Sequence, residues 1–387
     1  MTIITNVEDL RQQARKKLPK SLFDYMDGGS YTEQTLARNA SDFDELFFKQ
    51  RVMVDVSDKS LSKTLMGREY ALPIGIAPTG LAGLYHPDGE IVALNAAADW
   101  NLPYALSTVS ICSMEQLRQS NPYPYWFQLY IMKDRAFTET LVHRAAAADC
   151  SALVLTVDLP TSGQRHKDIK NGLSVPFRLS GSNILNTLSK PGWLYRMSKT
   201  PNRTFGNLQE ILAQAKGNIT GLAQWCASQY DDSINWDDVR WIRGLWKGKL
   251  IIKGILTPED AQKAIDCGCD AIIVSNHGGR QLDGVRSTIS SLPRIAQTVN
   301  KQTEVILDGG IRSGQDVIKA LAQGADFCLI GRPYLYGLSC GGRAGLDKLF
   351  TILKSELATS MTLMGLKDVN DIDAHCLDNP LRFSQTP

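Results

Sequence analysis

LIIKGILTPEDAQKAIDCGCDAIIVS, residues 250–275, reads as strand, helix and strand in succession. Leu250–Ile255 is an apolar run broken by Lys253 and Gly254. Pro258–Cys267 is helix-like in composition. Ala271–Ser275 is apolar again and ends on a polar residue. Continuous apolar strands separated by a helix mark a parallel sheet covered on both faces, because an alternating pattern would leave one face in water. The same unit recurs in both directions. Leu72–Pro78, Tyr104–Thr108, Trp126–Tyr130 and Ala152–Asp158 precede it, and Glu304–Asp308 and Phe327–Ile330 follow. Helix-like segments lie between most of them: Glu90–Trp100, Ala136–Ala148 and Gly314–Ala322. Eight such strands predict an α/β fold, a closed (β/α)8 TIM barrel. An open doubly wound sheet is the alternative, but no G-x-G-x-x-G follows the first strand.

The units place the barrel at about 70–360, a helical segment at about 1–65 and an insertion at about 160–245, within one domain spanning 1–387. Thr5-Asn6-Val7-Glu8 reads as a capping box opening a helix that stops before Pro19. A second helical stretch carries Phe23, Tyr25 and Met26 before Gly28-Gly29. The insertion follows the fourth strand. Its first half is basic and aromatic, with Arg165, Lys167, Lys170, Arg178, Lys190, Arg196, Lys199 and Arg203 against one acid, Asp168. Ile184, Leu185, Leu188, Trp193, Leu194, Tyr195 and Met197 interleave with these charges. That pattern suits an anionic membrane surface. A solvated loop over the barrel mouth is the other reading.

Composition narrows the classes. The chain carries 42 Lys+Arg against 40 Asp+Glu, a net +2, so no basic excess points to nucleic acid. The 8 cysteines are scattered and lack paired C-x-x-C spacing, so reduced thiols are expected and no metal site. Met1–Lys17 has no apolar core of a signal peptide, and no run of apolar residues is long enough to span a bilayer.

A barrel of this kind builds its site where strands end. Each of the eight strands delivers polar or glycine residues there. They are Thr79 and Gly80; Ser107; Gln128 and Tyr130; Thr156 and Asp158; Lys253; Ser275 to Arg280; Asp308 to Arg312; and Gly331 with Arg332. His277, followed by two glycines, is a candidate general base, and Asp158 a candidate to orient it. A helix cap is the alternative for Asp158. Arg280 and Arg165 are candidates to grip a carboxylate in a planar fork, with a surface salt bridge the alternative for Arg165. Gly309, Gly310 and Gly331, with Arg312 and Arg332, form a candidate phosphate cradle. Lys253 admits two chemistries: a Schiff base, as in an aldolase, or a positive charge beside a cofactor that becomes anionic on reduction.

The stretch Ser275–Asp283, SNHGGRQLD, resembles the signature of the FMN-dependent 2-hydroxy acid dehydrogenases and oxidases. The resemblance extends through Phe23–Gly29, Trp126–Tyr130, Thr156–Asp158, Ile252–Gly254 and Asp308–Arg312, nearly the whole chain. It implies FMN as cofactor and oxidation of an L-2-hydroxy acid to the 2-oxo acid. It implies His277 as base paired with Asp158, Arg165 and Arg280 on the substrate carboxylate, and Tyr25 and Tyr130 hydrogen-bonded to substrate. Lys253 would stabilise the reduced flavin. Thr79, Gly80, Ser107, Gln128, Thr156 and Ser275 would lie against the ring or ribityl chain. Asp308 would contact the ribityl, and Gly309, Gly310, Arg312, Gly331 and Arg332 the phosphate region. Gly80 and the segment at about 177–205 resemble the dehydrogenase branch, which passes electrons to quinone at the cytoplasmic side of the inner membrane. Gly80 and Val109 are expected to widen the space near the flavin. L-lactate is the first expectation for substrate, with (S)-mandelate, or a glycolate-type oxidase using O2, as alternatives. A homo-tetramer matches the family. A soluble cytoplasmic enzyme is the alternative location, and outside this class stand a Schiff-base aldolase using Lys253 and a membrane-associated scaffold without catalysis.

Overall fold

The computed structural model describes residues 3–173, 180–211, 225 and 228–378. All eight expected strands form: β1 (Ile74–Ile76), β2 (Ala105–Ser107), β3 (Trp126–Leu129), β4 (Ala152–Thr156), β5 (Lys249–Ile255), β6 (Ala271–Val274), β7 (Glu304–Asp308) and β8 (Phe327–Ile330). Neighbouring strands pair in parallel in the order β1-β8-β7-β6-β5-β4-β3-β2. The ring closes between β1 and β2 by an isolated bridge, Ile76 to Tyr104, with Ile76 N–H donating to Pro103 O at 2.8 Å. Gly75 makes that closure possible, because a Cβ there would meet Pro103 Cγ at 2.6 Å.

Side chains alternate across each strand, so residues two apart share a face. The outward set packs under the helices. The inward set forms a separate core: Ala105, Trp126, Val154, Ile251, Ile273, Ile306, Phe327 and Leu329, among others, are all buried. Large Trp126 and Phe327 join Ala105, Ala152 and Ala271 in the side-chain core that fills the barrel interior. An antiparallel hairpin, Lys63–Leu65 with Arg68–Tyr70, plugs the lower end through Leu65 and Tyr70. Tyr70 meets Phe327 edge-on, ring centroids 5.8 Å apart.

The N-terminal helices differ from expectation at one point. Asn6, not Thr5, is the N-cap of helix Val7–Lys17, and its side chain accepts from Asp9 N–H at 2.8 Å. Asn in this position reaches the third helical N–H, which satisfies an otherwise orphaned donor. Arg11 grips Asp27 through two bonds of 2.7 Å, and Tyr336 O–H donates to the same carboxylate. This fastens the N-terminal segment to the helix that follows β8.

The insertion has helices of its own at His166–Lys170, Gly181–Leu188 and Pro191–Met197. The basic membrane segment expected from residue 177, Arg178 included, begins outside the described residues, which resume at Ser180. Trp193 Nε1–H donates to Leu84 O at 2.9 Å, and Thr200 and Asn202 both donate to Asp88 Oδ1 at 2.7 Å. The insertion therefore docks on the loop leaving β1.

Candidate active site

Moving up each strand by two residues from the apolar inner core reaches a polar layer. Trp126 is followed by Gln128, Val154 by Thr156, Ile251 by Lys253, Ile273 by Ser275 and Ile306 by Asp308. Pairing aligns Thr156 with Lys253 and Ser107 with Gln128. Above the layer lies a cavity of about 540 Å³. It is lined by Tyr25, Thr79, Gly80, Tyr130, Thr156, Arg165, Lys253, His277, Arg280, Asp308, Gly309, Gly310, Arg312, Gly331 and Arg332. Ser107, Gln128, Asp158 and Ser275, the other residues singled out from sequence, lie just behind that wall. The structure thus gathers the whole expected set at one end of the barrel.

Lys253, Ser275 and Asp308 form a buried triangle. Lys253 Nζ donates to Ser275 Oγ at 3.0 Å, Ser275 Oγ donates to Asp308 Oδ2 at 2.8 Å, and the Lys253–Asp308 ion pair spans 3.0 Å. Burial works against the Lys253 charge, but the Asp308 and Asp158 carboxylates outweigh it and hold the ammonium above its usual range. An amine ion-paired with Asp308 and bonded to Ser275 is poorly placed to act as a nucleophile, which disfavours the Schiff-base reading.

His277 Nδ1 lies 2.9 Å from Asp158 Oδ1, so Asp158 serves the imidazole and caps no helix. Burial opposes ionisation of Asp158, but His277 and Lys253 outweigh it and keep the carboxyl below its usual range. His277 sits at φ +58°, followed by Gly278 at +66° and Gly279 at +71°. A side chain at Gly279 would strike the Leu36 backbone at 2.6 Å. A left-handed non-glycine residue costs roughly 1–3 kcal/mol and persists where the surroundings impose it. Here the turn presents the imidazole to the cavity, and His277 N–H donates to Ser275 Oγ at 3.1 Å.

Arg165 and Arg280 converge on Tyr25, their guanidinium carbons 5.2 and 4.9 Å from its ring centroid. Arg165 is ion-paired with Asp168 at 3.2 Å and borders the cavity, so it is no surface salt bridge. Arg280 Nη1 donates to Tyr25 O at 2.6 Å and Gly28 O at 3.0 Å. Burial, and then repulsion from Arg165, pull the Arg280 guanidinium below its usual range. Burial also raises Asp168, the carboxyl paired with Arg165. Two like charges held together in low dielectric favour an incoming carboxylate.

Arg332 donates to Met26 O at 3.2 Å and Gly28 O at 2.8 Å, and burial lowers it to about 10. Arg312 and Arg332 stand beside Gly331, where an added Cβ would find nothing nearer than 3.8 Å. At Gly310 the constraint is different: a Cβ would overlap Asn39 O, so packing on the N-terminal helix already demands glycine. Gly80 also departs from expectation. A Cβ there would lie 2.8 Å from Val109 Cγ2, so the room left by glycine is filled by Val109 rather than opened.

The site residues fit a flavin phosphate. Gln128 Nε2 and Thr156 Oγ1 are buried without a hydrogen-bond partner among the described residues, as a ring edge carrying acceptors and donors requires. Lys253, Arg312 and Arg332 supply cationic groups, and the space at Gly331 admits a close approach to backbone.

Sequence reading missed Glu90. It is fully buried, and its Oε1 accepts from Gly83 N–H at 3.0 Å and Ile111 N–H at 2.9 Å, tying the loops after β1 and β2 together. No motif marks it, because its partners are distant turns. Burial raises its carboxyl above the usual range. A carboxyl raised in the folded state favours folding while protonated, and that contribution is lost as pH rises through the folded value. Glu90→Gln is therefore expected to keep both bonds and flatten this part of the stability–pH curve. Glu90→Ala is expected to cost roughly 2 kcal/mol or more, from two unpaired amides. Thermal unfolding across pH checks both.

Similarity to known proteins agrees with this geometry. Residues 14–379 match the family model described as FMN-dependent dehydrogenase. An L-lactate dehydrogenase of Caulobacter vibrioides (strain NA1000 / CB15N) is 44% identical over 373 residues, covering 96% of this chain and 97% of the relative. An L-lactate dehydrogenase of Haemophilus influenzae (strain PittEE) is 42% identical over 376 residues, covering 97% and 98%. The crystal structure of the monotopic membrane protein (S)-mandelate dehydrogenase superposes with a TM-score of 0.92 at 35% identity, covering 98% of this chain and 100% of that one. A mandelate oxidase structure superposes with a TM-score of 0.83 at 35% identity, covering 97% and 98%.

Proposed function

This chain belongs to the FMN-dependent dehydrogenase family, an oxidoreductase acting on 2-hydroxy acids, and we propose that it oxidises L-lactate to pyruvate and passes the electrons to quinone. The observation that carries the reading is His277, backed by Asp158 at 2.9 Å, lining the same cavity as Arg165 and Arg280. When bound, FMN supplies the two-electron acceptor. The Arg165 and Arg280 guanidinium groups hold the substrate carboxylate, with Tyr25 against it. Tyr130 hydrogen-bonds the 2-hydroxyl, and His277 Nε2 takes the hydroxyl proton as the α-hydrogen leaves with its electron pair. Asp158 holds the resulting imidazolium in place. Lys253 keeps positive charge beside a ring that gains negative charge. Thr79, Gly80, Ser107, Gln128, Thr156 and Ser275 would hold the ring and ribityl chain, with Asp308 and Gly309 at the ribityl. Gly310, Arg312, Gly331 and Arg332 would hold the phosphate. The test is anaerobic bleaching of the bound flavin across a panel of L-2-hydroxy acids, and a panel that leaves it oxidised refutes the reading. Mandelate is the second reading, favoured by Ile131, Met132, Ile234, Trp236 and Val239 in the cavity wall, an apolar surface larger than a methyl group needs.

The insertion helices support peripheral docking on an anionic membrane. Leu185, Leu188 and Tyr195 are 70%, 61% and 64% exposed, beside Lys190, Arg196 and Lys199. No helix among the described residues is long and apolar enough to cross a membrane. Deleting 177–205 would also remove Trp193 and Thr200 from the β1 loop, so point changes test the idea better. Leu185→Asp with Leu188→Asp is expected to release the protein from anionic vesicles while dye-linked activity persists. Continued pelleting with vesicles would count against docking here. The cytoplasmic side of the inner membrane is the location this reading implies. The family resemblance supports a homo-tetramer, which sedimentation of the holoenzyme checks.

A further inference from the structure

The insertion re-enters the active site at Tyr230, which lines the same cavity as Tyr25, Tyr130, Arg165 and His277. Both neighbours of Tyr230 are tied to the loop that leaves Tyr130. On one side, Lys133 N–H donates to Gln229 O at 3.1 Å and Asp134 N–H donates to Gln229 Oε1 at 2.9 Å. On the other, Asp231 pairs with Arg135 at 2.9 Å and accepts from Ser233 N–H at 3.0 Å and Ser233 Oγ–H at 2.7 Å. Arg135 also pairs with Asp238 at 3.1 Å and donates to Met132 O at 2.5 Å, so one guanidinium joins the insertion's return to the β3 loop. Two anchors, one residue to each side, fix the Tyr230 backbone relative to Tyr130. The phenols are also electrostatically close. Burial raises the Tyr130 phenol most, and Tyr230 is the first of the neighbouring ionisable groups that raise it further. Tyr230 is likewise among the groups that hold Arg165 charged, after Tyr25 and Asp168.

We propose that Tyr230 is a substrate-binding residue, a third phenol that donates its O–H to the substrate carboxylate beside Arg165, and that the Arg135–Asp231 pair is its positioning device. The inference rests on the 2-hydroxy acid reading above and adds a residue to it. A phenol bonded to the carboxylate touches the group that does not react, so its contribution is to binding before the chemical step. A hydrogen bond to a charged acceptor accounts for roughly a 10-fold change in affinity, or more when water is excluded.

The experiment uses the purified holoenzyme and its Tyr230→Phe and Arg135→Ala variants. Anaerobic rapid mixing with L-lactate gives a dissociation constant and a limiting reduction rate. Titration with oxalate, followed by the perturbed flavin absorbance, gives a binding constant without turnover. Tyr230→Phe is expected to raise both dissociation constants about 10-fold and leave the limiting rate within about threefold, because uniform binding is lost and the barrier is not. Arg135→Ala is expected to raise them likewise, and adding Tyr230→Phe to it should add little, since both act through one contact. Flavin content and the thermal midpoint of Tyr230→Phe should match the parent. Unchanged lactate and oxalate constants in Tyr230→Phe overturn the proposal, as does a fall in limiting rate with binding intact. If the unaltered enzyme binds oxalate but no hydroxy acid reduces its flavin, the parent reading fails, while the oxalate titration still decides the role of Tyr230.

Discussion

His277→Gln is expected to lower kcat/KM for the hydroxy acid by about 10²–10⁴-fold, the range supplied by a positioned acid–base group. Glutamine keeps much of the side chain's bulk and its amide N–H can still donate to Asp158, so the 2.9 Å contact has a replacement and the fold should survive. It cannot take and hold the hydroxyl proton. The left-handed backbone at His277 is fixed by Gly278, Gly279 and the Leu36 backbone rather than by the imidazole, so the turn should remain. The loss should fall on the limiting rate of flavin reduction, with flavin content unchanged. Rapid mixing under anaerobic conditions reads both. A reduction rate within an order of magnitude of the parent would leave the imidazole without its role.

Lys253→Met is the second large effect, an expected loss of roughly 10²–10³ in the rate of flavin reduction, as for removal of a preorganised charge. Methionine nearly matches the lysine stem in length and can occupy the same barrel position. The change removes the ammonium that pairs with Asp308 at 3.0 Å and leaves that carboxylate facing the cavity. Negative charge is then uncompensated where the cofactor gains more, so the flavin midpoint potential should also fall. A spectroelectrochemical titration measures it independently of turnover. An unchanged potential together with an unchanged reduction rate would show that Lys253 serves the Ser275–Asp308 triangle alone. Borohydride with a keto acid should trap no adduct on the parent enzyme, because the amine is held protonated.

Several charges in the site owe their position to contacts made far along the chain. Arg280 is held by carbonyls 255 and 252 residues away, and Arg332 by one 304 residues away. These carbonyls belong to Tyr25 and Gly28, so the N-terminal segment forms part of the cavity wall. In sequence that segment showed only a helix followed by two glycines, and Tyr25 was singled out by resemblance alone. Asp168 looked like a stray acid in a basic stretch, yet it is the partner of Arg165. Gly310 was read as part of a phosphate cradle and Gly80 as room near the flavin, and packing against Asn39 and Val109 accounts for glycine at both.

What the sequence determined by itself was the barrel and its inward-facing layer. Parallel strands covered on both faces must be apolar throughout, and a side-chain period of two fixes which residues share the barrel axis. Gln128, Thr156, Lys253, Ser275 and Asp308 follow from that rule, since each stands two residues beyond a buried apolar neighbour. What only the tertiary structure decided was how the charges pair and what encloses them: Arg165 with Asp168, the two arginines on the N-terminal carbonyls, Glu90 between two loops, and Tyr230 brought back beside Tyr130. Such contacts join segments through loops and turns, where no repeating period ties one residue's direction to another's. Their geometry is set by the closed barrel and by the helices and insertion folded over its mouth.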